Sequence, residues 1–181
     1  MTTTNTEEGR TLAALALALV DDPRASLSDL ARAIGISKAS LYRFCRTREE
    51  LIERLVQHCV HVFTEAFDVA AVGDGPVLEA LRRLSAVYFD HKELTAFLIY
   101  YWREAVKDPT VAERMEAVMD TFFLRGQREG IFRVDIPAPA LTEMWGSMVA
   151  GMADAERRGR VARAGLLTLI ENAFLHGAAN Q

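Results

Sequence analysis

The sequence of 181 residues contains only two cysteines and five prolines, and these shortages exclude several classes of protein. Cys45 and Cys59 are too few for the disulfide framework of a small secreted domain, which indicates a reducing compartment. The low proline and glycine content excludes collagen-like and low-complexity chains. Because half of the residues are hydrophobic and a quarter are charged, we expect the chain to bury a hydrophobic core.

The sequence also lacks an apolar run long enough to cross a membrane. Its most conspicuous run, from Leu12 to Val20, has nine residues, whereas a transmembrane helix needs about 20. Acidic residues flank the run and no cleavage site of small residues follows it, so it does not fit a signal peptide. We therefore expect a cytoplasmic protein with no membrane partner.

Motifs for catalysis are missing as well. No glycine-rich phosphate loop follows a strand, no nucleophile motif is present, and the acidic residues are scattered along polar helix faces. His58 and His61 could form half of a metal site, but no third ligand is obvious nearby. Cys45 and Cys59 could form a redox switch, although free cysteines are more often small buried hydrophobic residues. We expect neither an enzyme nor a bound cofactor or metal.

The net charge of −4 hides an uneven distribution along the chain. Between Arg24 and Arg48 there are six basic residues and one acidic residue, a local charge of +5. From Cys59 onward, thirteen basic and seventeen acidic residues leave a charge of −4. A short basic segment on an acidic body is typical of a protein that presents one small face to phosphate.

Hydrophobic residues recur at helical spacing along nearly the whole sequence, and no alternating run is long enough to indicate a strand. This pattern predicts an all-α fold of about nine helices. Turn signals and capping residues place the boundaries between them. The predicted helices are 11–20, 26–35, 38–44, 47–67, 76–90, 93–107, 110–129, 138–157 and 161–178.

Residues 26–44 predict a helix-turn-helix, a motif whose second helix can enter the major groove of DNA. Ser26 and Ser37 are suitable N-caps for its two helices, and Gly35 permits the turn between them. A small residue, Ala31, stands where the two helices must approach closely. The expected miniature core consists of Leu30, Ile34, Ile36 and Leu41.

The exposed face of the second helix carries most of the residues expected to contact DNA. Tyr42, and Arg48 at the start of the next helix, are predicted to contact phosphate. Lys38, Ser40 and Arg43 are candidate base readers, and Ala39 could touch a thymine methyl group. The complete predicted set is Ser37, Lys38, Ala39, Ser40, Tyr42, Arg43 and Arg48.

Three runs, SLSDLA at 26–31, GISKASLYRF at 35–44 and TREEL at 47–51, together resemble the N-terminal signature of the tetracycline-repressor (TetR) family of transcriptional regulators. Cys45 stands where that family usually has a large apolar residue, and Arg48 stands where lysine is usual. The resemblance implies a homodimeric repressor that binds a palindromic double-stranded DNA operator and is released by a small-molecule effector. It also implies a DNA-binding domain at 1–48 and a helical ligand-binding and dimerisation domain at 49–181.

Aromatic and methionine side chains are concentrated on several helices of the C-terminal part. Such stripes usually form an ordinary core, but methionine adapts to varied ligands and binding pockets are mostly apolar. With the support of the family resemblance, we expect a ligand pocket among these helices. Its candidate residues are Phe63, Phe97, Tyr101, Met115, Met119, Phe122, Trp145 and Met148.

The last helix contains one charged residue, Glu171, between Ala164 and Ala179. A helix with apolar residues around its axis must be covered on two sides, once by its own domain and once by a partner. Small residues on the preceding helix permit close approach, so two helices from each subunit could form a four-helix interface. The candidate dimer residues are Gly146, Ala150, Ala153, Leu167, Ile170 and Phe174.

These observations predict a DNA-binding transcriptional regulator, with an effector-released repressor as the expected mode. The alternative is a helical small-molecule-binding or interaction protein that has lost DNA binding. The basic segment between Arg24 and Arg48 argues against that alternative.

Overall fold

The computed structural model of the chain describes residues 7–105 and 109–178. These ranges contain nine α-helices and no β-strand, which confirms the predicted fold class. No helix within them is long and apolar enough to span a membrane. The helices are α1 (Glu7–Asp21), α2 (Leu27–Ala33), α3 (Lys38–Phe44), α4 (Arg48–Val69), α5 (Val77–Asp90), α6 (Lys92–Ala105), α7 (Pro109–Arg128), α8 (Ala138–Arg157) and α9 (Leu166–Ala178).

The chain divides into two compact units. The first comprises Met1–Phe63 and Glu93–Lys107, and the second comprises Thr64–Lys92 and Asp108–Gln181. Helix α4 therefore contributes to both units, and nearly all of α6 belongs to the first. The sequence predicts that a DNA-binding domain ends at residue 48 and that a ligand-binding domain follows it. This functional boundary remains a prediction.

Side chains cap the N-termini of helices α2 and α4. The Ser26 hydroxyl accepts the Asp29 N–H at 3.2 Å, and the Asp29 carboxylate accepts the Ser26 N–H at the same distance. This reciprocal pair is a capping box, and it confirms Ser26 as the predicted N-cap of α2. Thr47 likewise accepts the Glu50 N–H at 3.1 Å, but the Glu50 carboxylate binds the Arg46 N–H instead.

Two predicted helix boundaries were wrong by several residues. Helix α1 begins at Glu7 rather than at residue 11, because two acidic residues in its first turn favour the positive end of the helix dipole. Helix α9 begins at Leu166 rather than at residue 161. Gly165 precedes it with a φ of 76°, a left-handed conformation that interrupts a helix.

Aromatic rings form much of the core of the second unit. Phe122, Phe123, Phe132 and Phe174 are buried, and the centroids of neighbouring rings lie 5.2–6.4 Å apart. Gly126 on α7 permits this packing, because a β-carbon at that position would overlap the Phe132 ring. The residues after α7 can therefore fold back against that helix.

Candidate nucleic-acid interface

The helix-turn-helix is held together by a small apolar core. Leu27, Leu30 and Leu41 are buried, and Ala31 is buried where the two helices meet. Ile34 and Ile36, two members of the predicted core, are only half-buried. Gly35 has a φ of 74°, which explains why glycine occupies the turn.

Cys45, the residue directly after α3, is buried at the position where the TetR resemblance predicts a larger apolar residue. It is 1% exposed, and burial is the main cause that raises the pKa of its thiol. Phe44 does not fill the same space. Its half-buried ring lies under the guanidinium of Arg54 on α4, whose central carbon is 4.7 Å from the ring centroid.

Helix α3 presents a polar face to solvent. Lys38, Ala39, Tyr42 and Arg43 are exposed, as a DNA-reading helix requires. The ammonium of Lys38 lies 5.4 Å from the centroid of the Tyr42 ring, a cation–π contact between adjacent turns. This face therefore offers two cations, a phenol hydroxyl and a methyl group to a ligand.

Ser37 and Ser40 use much of their hydrogen-bonding capacity within α3. The Ser37 hydroxyl caps the helix by accepting the Ser40 N–H at 3.0 Å, and the two hydroxyl oxygens are 2.8 Å apart. Arg43 also donates weakly to the Ser40 hydroxyl at 3.4 Å. These contacts give both serines a structural role in starting the helix.

Arg48 differs from Lys38, Tyr42 and Arg43 because it is half-buried within the first unit. Its Nη2 donates to the Pro23 carbonyl at 2.8 Å and to the Tyr101 hydroxyl at 3.4 Å. Sequence reasoning missed these partners, which lie 25 and 53 residues away.

Several exposed cations were not among the predicted DNA contacts. Arg24 lies in the turn before α2, and Arg46 lies between α3 and α4. Arg32 is also exposed, but its guanidinium donates to the Asp29 carboxylate at 3.0 Å. The local charge of the segment was the signal that could have identified Arg24 and Arg46.

The first unit also has a concave surface, which lies beside the end of α3. A groove of about 310 Å³ is lined by residues of α1, α3 and α4, including Phe44, Arg54 and His61. His58, which also lines it, is buried. No cluster of three or more metal-binding side chains occurs among the described residues, and burial raises the pKa of the nearby Cys59 thiol far above its usual range.

The predicted ligand-pocket residues are divided between the two units. Phe63, Phe97 and Tyr101 belong to the first unit, where all three are buried and the rings of Phe97 and Tyr101 stack at 4.8 Å. The other five belong to the second unit. There, Met119, Phe122 and Trp145 are core residues, and Met115 and Met148 are half-buried against that core. A pocket formed by all eight remains a prediction.

The core of the second unit contains a polar contact that sequence reasoning missed. The Trp145 indole N–H donates to the Ser85 hydroxyl at 3.2 Å, and Tyr88 packs edge-on against the indole at 5.4 Å. Nearby in sequence, Thr142 donates to the Asp120 carboxylate at 2.6 Å. The Trp145–Ser85 pair therefore places one hydrogen-bonded polar contact inside the second unit, whereas Thr142 and Asp120 are half-buried.

The predicted dimer residues occupy different environments in the second unit. Ala153, Ile170 and Phe174 are buried in the core of their own unit, so their assignment to a dimer surface is corrected. Gly146 and Ala150 are half-buried, and Leu167 is 40% exposed. The large apolar side chains exposed on α8 and α9 are Met144, Leu167 and Leu169.

Comparison with known proteins places this architecture among transcriptional regulators. No protein-family model matches the chain. The HTH-type transcriptional regulator NfxB of Pseudomonas aeruginosa is 44% identical over 176 residues, which cover 94% of each chain. The HTH-type transcriptional repressor LfrR of Mycolicibacterium smegmatis is 33% identical over 101 residues, which cover 56% of this chain and 53% of LfrR.

Solved structures show the same fold. The ketosteroid regulator KstR2 of Mycobacterium tuberculosis superposes with a TM-score of 0.77 at 16% identity, covering 99% of this chain and 98% of KstR2. The TetR-like regulator LfrR, solved in complex with proflavine, superposes with a TM-score of 0.69 at 23% identity, covering 95% and 96% of the two chains. With a capped helix-turn-helix, an exposed cationic α3 and a full-length regulator as relative, the chain belongs to the TetR family of DNA-binding transcriptional regulators.

Proposed function

We propose that this regulator is a repressor that reads its operator with α3 and leaves it when a small-molecule effector binds. The observation that carries this proposal is the exposed face of α3, where Lys38, Ala39, Tyr42 and Arg43 lie together on a capped helix. Arginine and lysine can both hydrogen-bond to the O6 and N7 atoms of guanine, so Arg43 and Lys38 are the proposed base readers. Tyr42 is a proposed phosphate contact, and Ser37 and Ser40 start the helix.

We further propose that the repressor is a homodimer on a palindromic operator. Recognition helices in such dimers occupy major grooves about 34–36 Å apart, so both copies must be held at a set separation. The proposed interface uses the exposed side chains of α8 and α9, namely Met144, Leu167 and Leu169, beside Gly146 and Ala150. A β-carbon at Gly146 would meet no atom within 4 Å, which leaves room for another helix.

The proposed effector is a planar aromatic molecule. The second unit offers the Trp145 indole, the edge-on Tyr88 ring and the adaptable side chains of Met115 and Met148. The relative LfrR has been solved with proflavine, a planar aromatic dye. This function requires no cofactor and no catalytic step, and we propose that the protein acts in the cytoplasm.

A two-step binding experiment tests this function. The wild-type protein is used to select duplexes from a random DNA library, and the selected duplex is titrated at two salt concentrations. We expect a palindromic consensus and an affinity that falls steeply with salt, because phosphate contacts release counterions. Proflavine is then added as the probe, and we expect it to weaken binding. Failure to enrich any duplex would contradict the proposed DNA reading, whereas enrichment without a proflavine effect would contradict only the proposed effector class.

A further inference from the structure

The carbonyl of Leu19, close to the end of helix α1, lacks the backbone partner that the Ala18 carbonyl still has. In an α-helix the carbonyl of residue i accepts the N–H of residue i+4. For Leu19 that residue is Pro23, which has no N–H. The last carbonyls of a helix need other donors when they are not exposed to water.

Tyr101 and Arg48 supply these donors from other parts of the first unit. The buried Tyr101 hydroxyl donates to the Leu19 carbonyl at 3.1 Å and also accepts from Arg48. Arg48 donates to the carbonyl of Pro23 itself. The two side chains therefore hold both ends of the turn from Leu19 to Pro23, and we call this set of three hydrogen bonds the turn clasp.

The turn held by the clasp leads directly into the DNA-reading motif. Residue 26, three positions after Pro23, is the N-cap of α2, and the Ile36 N–H, just before α3, donates to the Ala31 carbonyl of α2 at 3.0 Å. A displacement of the turn would therefore move α2 and, with it, α3. Small errors in the placement of a recognition helix affect all of its base and phosphate contacts together.

We propose that Arg48 and Tyr101 are positioning residues for operator binding, and that Arg48 acts through the turn clasp rather than by neutralising a phosphate. This inference rests on the proposed function, in which α3 reads the operator. Arg48 is half-buried with a protein carbonyl 2.8 Å from its guanidinium, whereas Lys38, Tyr42 and Arg43 are exposed. Tyr101 contributes an uncharged hydroxyl, so any effect of its removal on DNA binding cannot come from a lost charge.

The test compares Tyr101→Phe, Arg48→Ala and the double variant on the duplex that the wild-type protein selects. Tyr101→Phe removes one oxygen atom and retains the ring that stacks on Phe97. Tyr100→Phe is the matched control, since it makes the same change at the neighbouring, exposed tyrosine. Thermal melting of each variant establishes that it is folded.

We expect Tyr101→Phe and Arg48→Ala each to weaken operator binding by about 2- to 10-fold, because each change removes two of the three hydrogen bonds of the clasp. The double variant should weaken binding by less than the product of the two single effects, because the Arg48–Tyr101 hydrogen bond is lost in both single variants. The dependence of log affinity on log salt should keep the wild-type slope in all of them. Tyr100→Phe should bind like the wild type.

Two results would overturn the proposal. One is wild-type affinity of folded Tyr101→Phe, and the other is a salt slope about 0.9 smaller for Arg48→Ala, as the loss of one phosphate contact would produce. If Arg48→Ala does not fold, Tyr101→Phe decides the question by itself. Absence of any duplex selected by the wild-type protein would instead contradict the proposed function.

Discussion

The indole N–H of Trp145 on α8 donates a 3.2 Å hydrogen bond to the hydroxyl of Ser85 on α5, and both residues are buried. Tryptophan is a donor only, so its N–H has to find an acceptor when it is removed from water. The Ser85 hydroxyl meets that requirement and fixes the rotation of the indole against Tyr88.

Replacing Ser85 with alanine should therefore destabilise the second unit. The buried indole N–H would lose its acceptor, which costs about 1–3 kcal/mol of the free energy of unfolding. Urea titration followed by circular dichroism measures the loss. Ser147→Ala, at an exposed serine of α8, is the control and should leave the midpoint within experimental error of the wild type.

Charge placed on the proposed dimer face should dissociate the protein without unfolding it. Leu169 is 54% exposed in the single chain, so Leu169→Glu leaves the core of the unit intact and puts a charge into the proposed interface. Ile170 is 2% exposed, and Ile170→Glu should unfold the unit, since an uncompensated buried charge costs several kcal/mol. Light scattering and thermal melting separate the two effects.

A glutamate placed at an exposed residue outside the proposed interface is the control for dimerisation. Val134 is 79% exposed on the connection between α7 and α8, so Val134→Glu should change neither the mass in solution nor the melting temperature. A Leu169→Glu protein that keeps the mass of the wild type would show that α9 is not the dimer surface.

Substitutions on α3 should separate affinity from sequence preference. Tyr42→Phe should weaken binding to all duplexes alike. Lys38→Ala or Arg43→Ala should also change the preferred bases, because the loss of one bidentate contact removes about 1–3 kcal/mol of discrimination against the wrong base. Repeating the duplex selection with each variant measures the preference. Arg128→Ala, an exposed cation of the second unit, controls for the change in net charge and should leave the consensus unaltered.

Acid should remove a stabilising contribution from Asp154. Burial raises the pKa of this carboxyl, but the hydrogen bonds from Arg158 and Arg157 together with the positive charges of the two arginines more than offset that effect, so its pKa lies below the ordinary value of 3.8. A depressed pKa stabilises the folded state above the unfolded pKa, and the stabilisation is lost as the pH falls below 3.8 through the folded pKa. The difference in melting temperature between wild type and Asp154→Asn should thus be large at pH 7 and shrink below pH 3.8.

A β-carbon at residue 126 should be poorly tolerated. Gly126→Ala would push methyl carbon into the Phe132 ring, and overpacking of this kind costs about 1–3 kcal/mol. Chemical denaturation measures the change in unfolding free energy. Gly151→Ala, on helix α8 where an added β-carbon meets no atom within 4 Å, is the matched control, and equal midpoints for the two variants would refute the argument.

Much of the DNA-reading motif follows from local sequence. The predicted range of α3, residues 38–44, is the observed one, and Ser26 and Ser37 cap the helices that they were predicted to cap. Each cap involves groups three residues apart, so its geometry depends little on the rest of the chain. The exposed positions of Lys38, Tyr42 and Arg43 follow from the same helix once Leu41 is recognised as its buried side.

By itself, then, the sequence determined the all-α class and the position of α3, because helical periodicity and capping act over a few residues. The family was indicated by the resemblance of its N-terminal runs. Tertiary structure decided which side of α9 is buried, since that helix has apolar residues around its whole axis and only packing selects Ile170 and Phe174 for the core. It also decided the role of Arg48. The carbonyl of Pro23 and the hydroxyl of Tyr101 are distant in sequence, and their approach to one guanidinium depends on how the helices of the first unit pack.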